Sequence, residues 1–372
     1  MTLSYAQTYL IAARRTAIDR VGGLHRHRRV EELAARAISA ALEDARLSPG
    51  EVGQLILGTA SEGGNPARLA ALAAGLPDTA PAFTIDRQCA SGLDAILAGI
   101  RLVAGGEAEI VAAAGAESLT NAPWRLARPR SPAHPPRFLE ADTGPHAADI
   151  EAAEVLAAAA GISRVAQDEY AAAARKSGAA KPAPRLAAFA AESRDEPAFF
   201  AEDPTQLPTY REDGGTLTAA NTAQPGDGAA AVIVVGEATY RRLGCPPALK
   251  LIAAASLGAT PGAEAAAPLE AVRRLRQRTD AIDPLRATVC ELNETSAAQA
   301  LVFRDVLNIS AGRLNPGGGM LASGRPFGAA SAVLAVRLFA RLSGETGGET
   351  GLAATGALGG QGVAALFQTV KR

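Results

Sequence analysis

Strand-like and helix-like runs alternate along the first third of this chain, and the same order of runs returns in its last third. "TYLIAA" reads as a strand, and "VEELAARAISAALEDARL" as an amphipathic helix stopped by "SPGE". Next come strand "QLILGTA", helix "NPARLAALAAGLP", strand "AFTI", a helix after "RQCASGL" and strand "EIVAAAGAES". Strands separated by helix-length runs predict an α/β protein, with a mostly parallel sheet covered by helices on both faces. Near the carboxyl end, "TVCELN", "SAAQALVFRDVL", "RPFGAASAVLAVRLFARL" and "LAATGAL" repeat that outline. Two related halves are therefore expected, with the amino ends of two equivalent helices meeting where both halves contribute residues.

Between the halves the patterning loosens. "PRSPAHPPRFLEADTGPH" predicts a Pro-rich loop, and "DIEAAEVLAAAAG" and "SRVAQDEYAAAARKS" predict helices before the strand "GAAAVIVVG". An irregular insertion in an α/β chain commonly builds a lid or binding wall. The expected division is a first half over 1–117, an insertion over 118–223, a return to the first half over 224–244 and a second half over 245–372. The 48% hydrophobic content includes only 4% aromatic residues, so the core must be built from Ala, Leu, Val and Ile.

The formal net charge of −1 gives no basis for a nucleic-acid or acidic-membrane partner. Three cysteines, widely spaced and odd in number, do not make a disulfide framework and point to a reducing compartment. "MTLSYAQTYLIAARRTAI" lacks the features of a signal peptide, and no apolar run is long enough to span a bilayer. A soluble, cytoplasmic protein is expected.

Cys89 lies just before a run in which Leu93, Ile96, Leu97, Ile100 and Val103 repeat at helical spacing. A helix amino end favours a thiolate through its free N–H groups and dipole. The spacing is equally compatible with a small buried hydrophobe. Ser91 has no base nearby. The cluster His25–Arg29 lacks a spacing that would complete a metal site, so it reads as a solvated loop, with contact to an anionic phosphate as the lesser reading. "GALGGQG" precedes a strand-like "VAALF" rather than a helix, which excludes a dinucleotide loop and suggests a tight hairpin turn.

Seven blocks, in order, resemble the thiolase family: "NPAR" with "RQCASGL", "AGAESLTNAPW", "GISRVAQDEYA", "DGGTLTAANTAQPGDGAAAVIV", "ELNETSAAQAL", "NPGGGMLASGRPFGAASA" and "GLAATGALGGQGVAALF". The resemblance runs through nearly the whole chain. It implies a five-layered αβαβα fold of two related halves with an inserted loop domain. It also implies a dimer or dimer of dimers acting on coenzyme A thioesters, with no permanently bound cofactor and no metal. On this resemblance Cys89 is the nucleophile that carries the acyl group, and Asn293 holds a water at the thioester oxygen. The backbone N–H groups of Leu358 and Cys89 would form an oxyanion hole.

Two positions depart from the family pattern. Arg325 stands in Gly324-Arg325-Pro326 where the family has the histidine of Gly-His-Pro, and Gly356 stands where it has a second cysteine. Ala148-Asp149 stands where a His-Met pair is expected, with His146 slightly upstream. Arginine can depress a neighbouring thiol pKa and stabilise an oxyanion, but it cannot act as a general base at neutral pH. Gly356 offers no acid or base. His146 is the insertion's candidate for reaching the site or contacting CoA, and His134 a weaker one. Cys290 reads as core and Cys245 as a turn residue. The leading expectation is an acyltransferase that forms an acyl-thioester on Cys89 and has an atypical second half-reaction. The alternative is a catalytically impaired subunit or one that depends on a thiolase partner.

Overall fold

The computed structural model describes residues 7–126, 138–140, 147–179, 185, 195, 206–279, 282–344 and 347–370. The first half contributes β1 (Thr8–Arg15), β2 (Asp19–Arg20), α1 (Val30–Ala45), β3 (Gln54–Gly58), α2 (Pro66–Ala73), β4 (Ala82–Ile85), α3 (Ser91–Ala104) and β5 (Ile110–Glu117). The insertion carries β6 (Arg125–Leu126), β7 (Phe138–Glu140), α4 (Ala147–Ala160) and α5 (Arg164–Ala179). The chain returns through β8 (Gly226–Gly236) and α6 (Glu237–Arg242). The second half follows with β9 (Leu249–Gly258), α7 (Ala267–Arg276), β10 (Val289–Asn293), α8 (Ala297–Val306), α9 (Gly319–Ser323), α10 (Phe327–Leu342), β11 (Thr350–Ala357) and β12 (Gln361–Thr369).

The strands run in the order β4-β3-β5-β8-β1, joined through the single register pair Leu10–Leu249 to β9-β12-β11-β10. The expectation of a mostly parallel sheet is corrected here. Among the described residues only the strand pairs β3–β4, β3–β5 and β10–β11 are parallel, where a helix crosses between strands. The pairs β5–β8, β8–β1, β1–β9, β9–β12 and β12–β11 are antiparallel. Antiparallel neighbours need only a short connection, and β11 reaches β12 through the turn 358–360.

The pairing pattern repeats between the halves. β3-β5-β8-β1 and β10-β11-β12-β9 each run parallel, antiparallel, antiparallel. The insertion fills the β5-to-β8 connection, which in the second half is the three-residue turn.

Three buried clusters define the layers. α1 and α2 pack on one side of the first-half strands. α7 and α8 pack on the outer side of the second-half strands. α3 and α10 lie between the two sets. Leu93, Ile96, Leu97, Val333, Leu334 and Leu338 fill that middle layer, each buried side chain contributing about 1.5–3 kcal/mol. The two middle helices approach closely because Gly92 lacks a Cβ: one built there would meet the Gly328 carbonyl oxygen and the Ala332 nitrogen at 2.8 Å. The Leu93 N–H also donates to Ser331 Oγ at 2.9 Å, tying α3 to α10.

Part of the predicted Pro-rich loop is a short strand. Phe138–Glu140 pairs antiparallel with Arg125–Leu126. Residues 127–137 and 141–146, with His134 and His146 among them, lie outside the described residues. No helix among the described residues is long and apolar enough to cross a membrane.

Candidate active site

Cys89 sits two residues before α3, with Ala90 capping the helix and Gln88 in the left-handed region at φ 49°. Ser91 shapes this corner: its hydroxyl accepts the Arg87 N–H at 2.7 Å and lies 2.6 Å from the Gln88 carbonyl. The corner packs Cys89 against Ala60, Leu119 and Phe327, leaving it 1% exposed.

Arg325 arrives from the other half, on the loop between α9 and α10. Glu294 fixes α9, which leads into that loop. Its buried carboxylate accepts from Asn315 Nδ2 at 2.7 Å and the Leu321 N–H at 3.2 Å, and a Cβ at Gly319 would strike it. Burial raises the Glu294 carboxyl to about 7, against the opposing pull of backbone N–H groups and the Arg337 charge. The returning segment holds the Arg325 backbone, whose N–H donates to the Gln224 carbonyl at 2.8 Å. Glu117, at the end of β5, accepts the Gly328 N–H at 2.8 Å and so clamps the start of α10 to the first half.

These constraints aim the guanidinium at the sulfur. Arg325 Nη2 lies 2.8 Å from Cys89 Sγ, and Nη1 donates to Asp149 Oδ2 at 2.9 Å. Arg325 and Asp149 are both buried, and Arg325 Nε has no hydrogen-bond partner among the described residues. Asp149 belongs to the first turn of α4, so the insertion closes onto the site with a carboxylate. The sequence shows Asp149 where a His-Met pair is expected, but nothing in it signals an ion pair across 176 positions.

The expected thiolate-favouring environment is corrected by the geometry. Burial pushes the Cys89 thiol up to about 11. The Arg325 charge pulls it down, as expected, but Asp149 and Glu117 oppose that pull. Burial likewise works against the Arg325 charge, yet the neighbouring Cys89 and Asp149 hold its pKa above the usual arginine value. The cation is therefore permanent, and it is shared between a carboxylate and a sulfur.

Asn293 ends β10 beside β11, and its Nδ2 donates to Thr355 Oγ1 at 3.0 Å. Its buried Oδ1 has no partner among the described residues, which leaves an acceptor for a small polar group. Gly356 follows Thr355 and is walled in: a Cβ there would lie 2.7 Å from the Glu264 carbonyl oxygen and 3.2 Å from Pro268 Cδ. Leu358 opens the turn to β12, whose Gly359 and Gly360 take φ of 79° and 73°. Glu264 braces this turn by accepting the Gly359 and Gly360 N–H groups at 3.0 and 3.2 Å. Sequence reading missed Glu264 because "PGAEAAAP" carries no chemical pattern.

The other candidates lie elsewhere. Cys290 is buried in the outer second-half core, its thiol raised to about 12 by burial, and Cys245 is an exposed turn residue at φ 54°. Ser91 is occupied with backbone partners. His25 does not belong to a solvated loop: it is fully buried, with Nε2 2.9 Å from the Ala17 carbonyl and Nδ1 2.8 Å from Arg28 Nη1. A backbone carbonyl and a nearby arginine satisfy it inside the fold, while Arg26, His27 and Arg29 are exposed as expected. Among the described residues no group of three or more His, Cys, Asp or Glu side chains could hold a metal ion.

A two-halved α/β protein with a buried cysteine facing a cation from the opposite half, under an inserted helical cap, is an architecture suited to acyl transfer through a sulfur. The chain belongs to the thiolase family: the thiolase N-terminal domain matches residues 8–238 and the thiolase C-terminal domain residues 245–369. It is 36% identical to YhfS of Bacillus subtilis over 378 residues, covering 97% of this chain and 99% of that protein. It is 33% identical to an acetyl-CoA acetyltransferase of Cupriavidus necator, covering 95% and 97%. Among solved structures it is similar to the Acat5 thiolase of Ascaris suum in complex with coenzyme A, with a TM-score of 0.88, 25% identity and coverage of 98% and 100%. Human mitochondrial 3-ketoacyl-CoA thiolase in complex with CoA gives a TM-score of 0.88, 26% identity and 98% coverage of both chains. The thiolase fold and the α/β class are thus as expected.

Proposed function

We propose that this chain is an acyl-CoA acyltransferase that takes the acyl group onto Cys89 as a thioester and completes an atypical second half-reaction. The observation that carries this reading is the 2.8 Å contact between Arg325 Nη2 and Cys89 Sγ in a buried setting. In the first half-reaction Cys89 Sγ bonds to the thioester carbonyl carbon, the bond from that carbon to the CoA sulfur breaks, and the Cys89 proton leaves with the CoA thiol. Arg325 offsets negative charge as it forms on sulfur and oxygen but takes no proton. Asp149 keeps the guanidinium oriented. The N–H groups of Leu358 and Cys89 are assigned to the oxyanion, and Asn293 to a bound water.

Gly356 supports the atypical second step, because the wall around it leaves no room for a family-type cysteine side chain. The same wall favours a second reading, in which the chain is an impaired subunit that needs a thiolase partner. Both readings keep the division at 117, 223 and 244, a cytoplasmic setting, and a homodimer or homotetramer. β4 supports self-association: it is an edge strand, with Phe83 exposed on it and Leu69 and Leu72 exposed on the adjoining α2. CoA release from acetyl-CoA, followed with a thiol reagent in the presence of Cys89→Ala as control, tests the proposal. A rapid release of one CoA per chain that vanishes in the variant supports it, and equal release from both would count against a Cys89 intermediate.

A further inference from the structure

Resting on the reading of position 356 given above, we infer that Glu264 supplies the acid–base group for the α-carbon of the second acyl-CoA, in place of the absent cysteine. Glu264 is 6% exposed, and only one of its carboxylate oxygens is used by the fold. Oε1 accepts from the Gly262, Gly359 and Gly360 N–H groups at 3.1, 3.0 and 3.2 Å. Oε2 is buried and has no partner among the described residues. A polar oxygen left bare inside a protein is costly and calls for a partner such as a ligand, a water or a reacting proton.

Its location ties it to the site from three directions. The Glu264 backbone oxygen occupies the space next to Gly356 where a side chain would project. Its carboxylate braces the turn that begins at Leu358. The next residue, Ala265, packs in one apolar cluster with Ile150, the neighbour of Asp149. The Ala265 carbonyl also accepts from Gln299 Nε2 at 2.9 Å, and Gln299 Oε1 accepts the N–H of Thr295, two residues after Asn293. Glu264 therefore belongs to the segment where the end of the Asn293 strand, the 356–360 turn and the loop-domain cap converge. Asn293 Oδ1, also buried and unpartnered, stands on the adjoining strand.

The step balances without an oxidant or a further reactant. Glu264 takes the α-proton of an acyl-CoA, and the resulting carbanion bonds to the carbonyl carbon of the acyl group on Cys89. The carbon–sulfur bond to Cys89 breaks, and the thiolate, held by Arg325, recovers the proton from Glu264 through solvent.

The test uses the full chain with acetyl-CoA in deuterated water, reading deuterium in the acetyl methyl group by NMR and acyl-Cys89 by intact mass. Glu264→Gln keeps an oxygen to accept the turn N–H groups and removes the base. Loss of acid–base catalysis costs about 10²–10⁴-fold, so deuterium uptake should fall by that factor while acyl-Cys89 still forms. Unchanged uptake in Glu264→Gln, or no uptake by the wild type, overturns the assignment. Failure to acylate Cys89 with uptake intact would instead overturn the first half-reaction and leave Glu264 standing. Glu264→Asp, which keeps a carboxylate, should recover part of the uptake if the group acts on the proton, and none if it only braces the turn.

Discussion

Asp149→Asn should make Cys89 more acidic. Arg325 is shared between Asp149 Oδ2 at 2.9 Å and Cys89 Sγ at 2.8 Å, and all three groups are buried. With Asp149 ionised, the guanidinium already has its counter-charge, and burial holds the thiol near 11. Removing that charge leaves a buried cation in contact with a sulfur that can ionise. A unit charge at about 4 Å is worth about 4 kcal/mol at an effective dielectric near 20, or roughly 3 pKa units. Arg325 exerts part of this pull in the wild type, so a further drop of about 1–2 units is expected. At a fixed pH below the midpoint, the thiolate fraction then rises about 10- to 100-fold. Losing the carboxylate also unpairs a buried cation, at a cost of about 3–5 kcal/mol that the thiolate partly offsets. Iodoacetamide labelling across pH, read peptide by peptide so that Cys245 and Cys290 are counted separately, gives the Cys89 midpoint. A midpoint that stays put or rises in Asp149→Asn would refute the electrostatic account.

Gly356→Cys should not restore a family-type second cysteine. Its Cβ would meet the Glu264 carbonyl oxygen at 2.7 Å, so overpacking should cost about 1–3 kcal/mol, visible as a lowered Tm with no gain in thiolysis. Arg325→His should likewise fall short of ordinary thiolase turnover, because Gly356 lacks the family's cysteine and the imidazole would face Asp149 and Glu264 rather than that thiol; full rates from that single change would contradict this reading of Gly356. Glu294, raised from 4.5 to about 7 by burial, is protonated more readily in the folded chain than in the unfolded one. It therefore contributes stability that is complete below pH 4.5 and lost as pH rises through about 7, about 3 kcal/mol in all. Urea midpoints at pH 5 and pH 8 should differ less in Glu294→Gln than in the wild type, and an identical difference would rule out Glu294 as the source.

Much of the layer order is written in local periodicity. Leu93, Ile96, Leu97 and Ile100 mark the buried face of α3, and the repeat of strand and helix runs marks the second half. Strand direction is less legible, because apolar runs such as "GAAAVIVVG" look the same whether their neighbours are parallel or antiparallel. Only the connections decide, and the insertion obscures the one before β8. His25 misleads for a related reason: its run of basic neighbours is indeed exposed, and a single side chain turns inward to the Ala17 carbonyl. At the site, Cys89, Arg325, Asn293 and Gly356 stand at motif positions that can be read in the sequence. Asp149 stands where a His-Met pair is expected, but its ion pair with Arg325 spans 176 positions and leaves no local trace, and Glu264 sits among alanines with no motif around it. The sign of the Cys89 shift is also out of reach, since burial outweighs the pull of Arg325, and burial depends on packing by Phe327 and Leu119.

The most direct measurement is the intact mass of the protein after brief exposure to a panel of acyl-CoAs, beside Cys89→Ala. The account predicts a gain equal to one acyl group in the wild type, confined by peptide mapping to Cys89 and absent from the variant. A folded wild-type chain that gains no mass with any acyl-CoA would contradict the acyl-Cys89 intermediate and favour the partner-dependent subunit.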